Sequence, residues 1–205
     1  MIIALLLAAA APAADAGPSP RPMSAIDAER AFAADAQKNG QWTAFRQYAA
    51  PDAVMFVPEK VNAQAWLKDR VDPPTRVYWW PGRSYVSCDG TVAVNTGPWV
   101  RGYGKSVGYF TTIWMRQADG SWKWIYDAGD PEKFARGEGG DISPFIASCK
   151  GKPSGVIQAK SQHSKDQSLA WLINLGPRGQ RRLRVYQWNG ARYQMVIEDK
   201  VAAAK

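Results

Sequence analysis

Two acids stand where a tryptophan-rich run ends: Asp119-Gly-Ser-Trp122-Lys-Trp124-Ile-Tyr-Asp127-Ala-Gly-Asp130. Strict two-residue alternation from Trp122 places Trp124, Tyr126, Ala128 and Asp130 on one face of a strand, with Lys123, Ile125 and Asp127 on the other. Asp130 then shares the tryptophans' face, at a rim just before Pro131. Asp127 faces away from them unless a bulge intervenes. Either acid also suits a structural role, bonded to backbone amides or to an arginine such as Arg101 or Arg116.

Other chemistries have little support. The single histidine, His163, lies in a polar Ser-Gln-His-Ser-Lys stretch. With one His, no Cys-x-x-Cys and no acid pair at helical metal spacing, no metal site is expected. There is no Gly-x-Ser-x-Gly nucleophile elbow, so a Ser-His-Asp triad would have to recruit His163. Gly102-Tyr-Gly104-Lys105 reads as a turn between strands, because no helix follows whose N-terminus could hold a phosphate. No cofactor is expected.

The elements that must position the two acids follow from spacing. Ser24 caps a helix with Asp27 in its first turn. Ile26, Ala28 with Glu29, Phe32 and Ala36 recur near helical period, and Asn39-Gly40 ends the run. Trp42 to Tyr48 and Ala63 to Arg70 read as further short helices, with a Pro58-limited extended run, Ala53 to Val57, between them. From Thr75 the period becomes two. Arg76 to Trp80 and Arg83 to Cys88 are β-like, interrupted at Pro81-Gly82. Asp89-Gly90 is a hairpin turn that sets Val86 opposite Ala93. Thr91 to Arg101 follows, with Pro98 calling for an edge or bulge position. Asp119-Gly120 is a second such turn, setting Met115 opposite Trp124. Helices first and then a meander of about four antiparallel strands make an α+β plan. Residues 131–153 read as a linker or long loop. Asn189-Gly190 then joins two alternating runs in a basic β-hairpin extension over 154–205, with Tyr186 opposite Tyr193 and Trp188 opposite Ala191. Met195 and Ile197 continue a face expected to be buried.

At the N-terminus, an apolar run from Ile2 to Ala11 precedes Ala14-Asp-Ala16, the pattern of a secretory signal over 1–16 with an Ala-x-Ala cleavage site. Residues 17–23, with three prolines, read as a flexible tether. Export to a bacterial periplasm makes a disulfide between the two cysteines, Cys88 and Cys149, plausible; two buried thiols are the alternative. The formal charge of +8 is uneven: 13 Lys and Arg face 11 Asp and Glu over 17–130, and 13 face 6 over 131–205. The basic C-terminal region suits an anionic envelope surface or simply a solvated face, and export argues against nucleic acid.

Over Ser24 to Asp130, the helix–helix–strand–helix opening, Gly97-Pro98-Trp99, Tyr109-Phe-Thr-Thr-Ile-Trp114, Asp119-Gly-Ser-Trp-Lys and the following Asp127 resemble the nuclear-transport-factor-2-like superfamily. Within it the chain is most similar to a bacterial branch of unknown function related to SnoaL-like and ketosteroid-isomerase-like proteins. The resemblance implies a cone-shaped curved antiparallel sheet over three N-terminal helices, open at one end into an apolar pocket. Phe32, Phe45, Met55, Trp66, Trp80, Trp99, Trp114, Trp122 and Trp124 are the bulky residues that could line it, or could simply fill the core. It also implies a dimer in many relatives. In isomerase-like relatives a carboxylate tuned by an apolar site works beside a Tyr or a second acid. Asp127 matches the motif position, with Asp130 as the other candidate and Tyr48, Tyr103 or Tyr109 as partner. The expected function is noncatalytic binding of a small apolar or amphipathic ligand, or assembly. The alternative is a ketosteroid-isomerase-like or dehydratase-like enzyme.

Overall fold

The structure is a computed structural model that describes residues 23–137, 139–153 and 160–203. The expected signal segment and most of the tether lie outside the described residues. The chain runs α1 (Ala25–Lys38), α2 (Gln41–Tyr48), β1 (Ala49–Phe56), β2 (Lys60–Asn62), α3 (Ala63–Leu67), β3 (Val77–Trp79), β4 (Arg83–Val86) and β5 (Val92–Arg101). It continues through β6 (Ser106–Arg116), β7 (Trp122–Pro131), β8 (Phe145–Ile146), β9 (Gln162–His163), β10 (Leu169–Leu175), β11 (Arg181–Trp188) and β12 (Tyr193–Val201). The fold class is α+β. No helix among the described residues is long and apolar enough to cross a membrane.

Two sheets form. The first has the order β2-β1-β7-β6-β5-β4-β8, with β3 also paired to β5; the second is β12-β11-β10-β9. The first sheet is mixed rather than antiparallel as expected, because β1 joins β7, and β8 joins β4, in parallel. Its inner face packs on the helices through Phe32, Ala44, Met55, Trp79, Phe110, Trp114 and Trp124. Its outer face packs on the second sheet: Tyr85, Val92, Val94, Ile113 and Tyr126 meet Leu169, Trp171, Leu183, Val185 and Ile197. The molecule is therefore helices, sheet, sheet in three layers.

The local signals hold where they are strongest. Ser24 and Asp27 make a reciprocal capping box on α1, which supplies partners for backbone donors that the helix leaves free. Val86 stands opposite Ala93. Pro98 sits inside β5 rather than at an edge, but beside the gap between β3 and β4, where only Trp80 N–H and Gly82 N–H reach β5, at Pro98 O and Thr96 O. The missing proline donor thus falls where the sheet is already broken. Cys88 and Cys149 are joined in a disulfide, Cα to Cα 5.3 Å.

Longer turns than expected shift two registers. At Asp119-Gly120 the side chain of Asp119 accepts from Ser121 N–H and Oγ. Met115 then faces Lys123, and Trp114 faces Trp124. At Asn189-Gly190 the Asn189 side chain accepts from the amides of Ala191 and Arg192. This four-residue loop pairs Trp188 with Tyr193 and Tyr186 with Met195. Asn and Asp side chains stabilise such loops by standing in for a backbone acceptor. The expected hairpin is part of a four-stranded sheet, and its covered face is Leu183, Val185 and Ile197; Met195 is exposed. Within 131–153, β8 adds to the first sheet beside Tyr85, and Arg136 ties to Asp199 of β12 at 2.6 Å.

Candidate functional site

Ile113 pairs with Tyr126 but Trp114 pairs with Trp124, so Ile125 is one residue too many on β7. This β-bulge resets the alternation. Trp122 and Trp124 point inward, Tyr126 and Ala128 point to the second sheet, and Asp127 returns to the inner face opposite Thr112. Uninterrupted alternation is thereby overturned: Asp127, not Asp130, shares the tryptophans' side. Asp130 pairs with Tyr109, on the outer parity, at the strand's end.

Asp127 opens into a cavity of about 260 Å³ lined by Trp42, Phe45, Met55, Trp79, Trp99 and Phe110, with Gln41, Phe56, Val57 and Asp130 around them. Its carboxylate accepts from Thr112 Oγ1 at 2.8 Å. Burial pushes the Asp127 carboxyl up to about 6; the Thr112 hydroxyl and the Arg181 guanidinium oppose the rise. Charge without water is disfavoured, and a hydrogen bond or a nearby cation restores part of it. Burial raises Asp130 as well, again against Arg181.

Two glycines shape one wall. A Cβ on Gly108 would stand 2.4 Å from the Trp99 ring, and one on Gly129 would stand 3.3 Å from its indole nitrogen. The missing side chains let Trp99 lie close against β6 and β7. Across β3 and β5, Trp79 pairs with Trp99. The Trp79 indole N–H donates to Glu29 Oε1 at 2.9 Å, which holds that ring against the cavity.

Glu29 was legible only as a helix position, yet it is fully buried. It also accepts from Trp114 Nε1 at 2.6 Å and Asn95 Nδ2 at 3.3 Å. Burial pushes its carboxyl up to about 7, against these three donors and with the charge of Asp127 adding to the rise. An acid within an apolar stripe, between Ile26 and Phe32, is the signal for it in the sequence.

Arg181 ties the second sheet to two residues of the cavity wall. Its guanidinium donates to Gly129 O at 2.6 Å and lies 4.8 Å from the Phe56 ring centroid. The loop before it presses Gly179 against Pro58.

Of the expected lining residues, Phe45, Met55 and Trp99 border the cavity, and Trp42 and Trp79 join them. Phe32, Trp114, Trp122 and Trp124 are packed in the core. Trp66 stacks under Arg70, 3.3 Å from the guanidinium carbon, and meets Trp42 edge-on. Trp80 borders Gly139 instead, and its indole nitrogen has no hydrogen-bond partner among the described residues. None of the three tyrosines accompanies Asp127. Tyr48 donates to Asp35 at 3.2 Å, Tyr103 is fully exposed, and Tyr109 lies on the outer face under Arg136.

Helices packed on one face of a β-sheet make the α+β plan that the sequence predicts, with the sheet mixed rather than antiparallel. No family model and no curated protein matches the chain. Among solved structures it is similar to a proposed ketosteroid isomerase of Parabacteroides distasonis, at 18% identity over 54% of this chain and 89% of that one, TM-score 0.42. It is similar to another from Shewanella frigidimarina, at 17% over 52% and 95%, TM-score 0.38. A conserved protein of Planctomyces limnophilus gives 14% over 53% and 95%, TM-score 0.37.

Proposed function

We propose that this chain binds a small, mainly apolar molecule in the cavity between the helices and the inner face of the first sheet, the open end of the expected cone. The observation that carries the reading is the cavity itself: aromatic walls with two polar side chains, Asp127 and Gln41, set into them. Ligand sites are largely apolar, with a few polar groups fixing orientation. Gln41 Oε1 accepts from Val77 N–H at 3.0 Å, which fixes its side chain at the cavity wall. At about 260 Å³ the space is slightly below the ~300–1,000 Å³ of drug-sized sites, so the molecule is small. Binding is favoured over catalysis because none of Tyr48, Tyr103 and Tyr109 stands beside Asp127, and Glu29, the acid behind Trp79, already accepts from three donors.

The raised carboxyl of Asp127 favours one second reading, proton transfer to and from a bound carbonyl compound, since a base titrating near 6 can both take and return a proton. Tested with phenylacetone in D₂O, catalysed exchange at its α-carbon that Asp127→Asn abolishes would support it. The disulfide is the support for export to an oxidising compartment such as the periplasm.

Native mass spectrometry of protein purified without added ligand tests the binding reading. Val57 borders the cavity, and Val57→Trp places bulk there. A bound small molecule on the wild type that is missing from Val57→Trp is the expected result. An unliganded wild type that also shows no thermal shift with small apolar compounds would sink it.

A further inference from the structure

The cavity has an electrostatic sign opposite to that of the chain. Lys and Arg number 26 against 18 Asp and Glu in the whole sequence. Yet the lining includes Asp127, with Asp130 at its edge, and no Lys, Arg or His. A third carboxylate, Glu29, lies directly behind Trp79 and receives only neutral donors. The cation whose charge acts on both aspartates, Arg181, is committed to Gly129 O, to Gly179 O and to the ring of Phe56.

The aromatic walls agree with that sign. Ring faces are the negative side of the aromatic quadrupole and ring edges the positive side. Trp79 turns its N–H edge to Glu29, so the positive end of that indole is already spent on a carboxylate. A cation held among Trp, Tyr or Phe faces is stabilised, more so away from water. An anion here would meet Asp127. A neutral molecule would displace water from that carboxylate and leave it only the Thr112 hydroxyl and the charge of Arg181, whose guanidinium is shared with Gly129 O, which is unfavourable in an apolar enclosure.

We infer that the ligand of this cavity is a small organic cation with an apolar body, an aryl- or alkylamine whose ammonium group pairs with the Asp127 carboxylate between the tryptophans. The inference rests on the reading of the cavity as a binding site and adds the chemical class of its occupant. It also explains why a basic protein keeps its cavity lining free of basic side chains.

Three probes of one size separate the existence of the site from the charge of its ligand: 2-phenylethylamine, 2-phenylethanol and phenylacetate, titrated calorimetrically into the full chain. At pH 8 the amine is expected to bind at least tenfold more tightly than the alcohol, with phenylacetate weakest. Lowering the pH to 5 protonates Asp127 and is expected to shrink that ratio several-fold, as is Asp127→Asn at pH 8. Amine and alcohol binding equally at pH 8 would overturn the cation inference while leaving the binding site standing. So would a preference for the amine that survives both pH 5 and Asp127→Asn. Failure of all three probes to bind overturns the inference and the binding reading together.

Discussion

Asp127 and Glu29 are acids held where their charge is disfavoured, and each leaves a mark on stability. Both titrate higher in the folded chain than in the unfolded one, to about 6 and about 7. The folded state therefore binds more protons between the unfolded value and the raised one, and stability falls as pH rises through that window. For Glu29 the window runs from 4.5 to about 7. Each pKa unit is worth about 1.4 kcal/mol, so the loss is on the order of a few kcal/mol. Glu29→Gln should flatten the pH dependence of urea stability between pH 4.5 and 7; a slope identical to the wild type's would show that Glu29 does not titrate there. The position of Asp127 was half legible. Its residue type and place in the run marked it, but its direction depended on Ile125, an ordinary strand residue whose side chain does not announce a bulge. Glu29 was less legible still, because its partners Trp79, Asn95 and Trp114 come from strands far along the chain.

Elements with local causes could be read directly, and elements with distant partners could not. The capping box fixes the start of α1, and Asp89-Gly90 fixes the β4–β5 register, through contacts a few residues apart. The parallel seating of β1 beside β7 joins residues more than seventy positions apart, and nothing in either segment announces it. The wall formed by β5, β6 and β7 depends on Gly108, where an added Cβ would stand 2.2 Å from Asp130 O as well as 2.4 Å from Trp99. Gly108→Ala is expected to destabilise by about 1–3 kcal/mol, the range for overpacking, and to weaken ligand binding. Denaturant midpoints check the first, and an unchanged midpoint would mean that the strands yield freely. Arg181 links the second sheet to this wall. Since its charge opposes the upward shift of Asp127, Arg181→Met should raise that carboxyl above about 6. Carboxyl-carbon NMR titration would show it, and an unmoved Asp127 would remove Arg181 from the account.

At the scale of the whole molecule, the second sheet replaces water over the outer face of the first. A second copy of the chain thus has no access to Tyr85, Val94, Ile113 and Tyr126, which β10, β11 and β12 already cover. The Cys88–Cys149 link spans 61 residues and anchors the segment leading into that sheet. Closing so long a loop stabilises by about 4 kcal/mol in the chain-entropy model. Reduction should lower the melting temperature by several degrees, and an unchanged melting curve would contradict that role. Burial on both sides of one sheet leaves a cavity beside Asp127 where Trp42, Trp79 and Trp99 meet open space. The most direct test is an NMR titration of the tryptophan indole N–H resonances with 2-phenylethylamine. The account predicts that Trp42, Trp79 and Trp99 shift together and saturably while Trp171 and Trp188 in the second sheet stay still. Stationary cavity resonances, or equal shifts at Trp171 and Trp188, would contradict it.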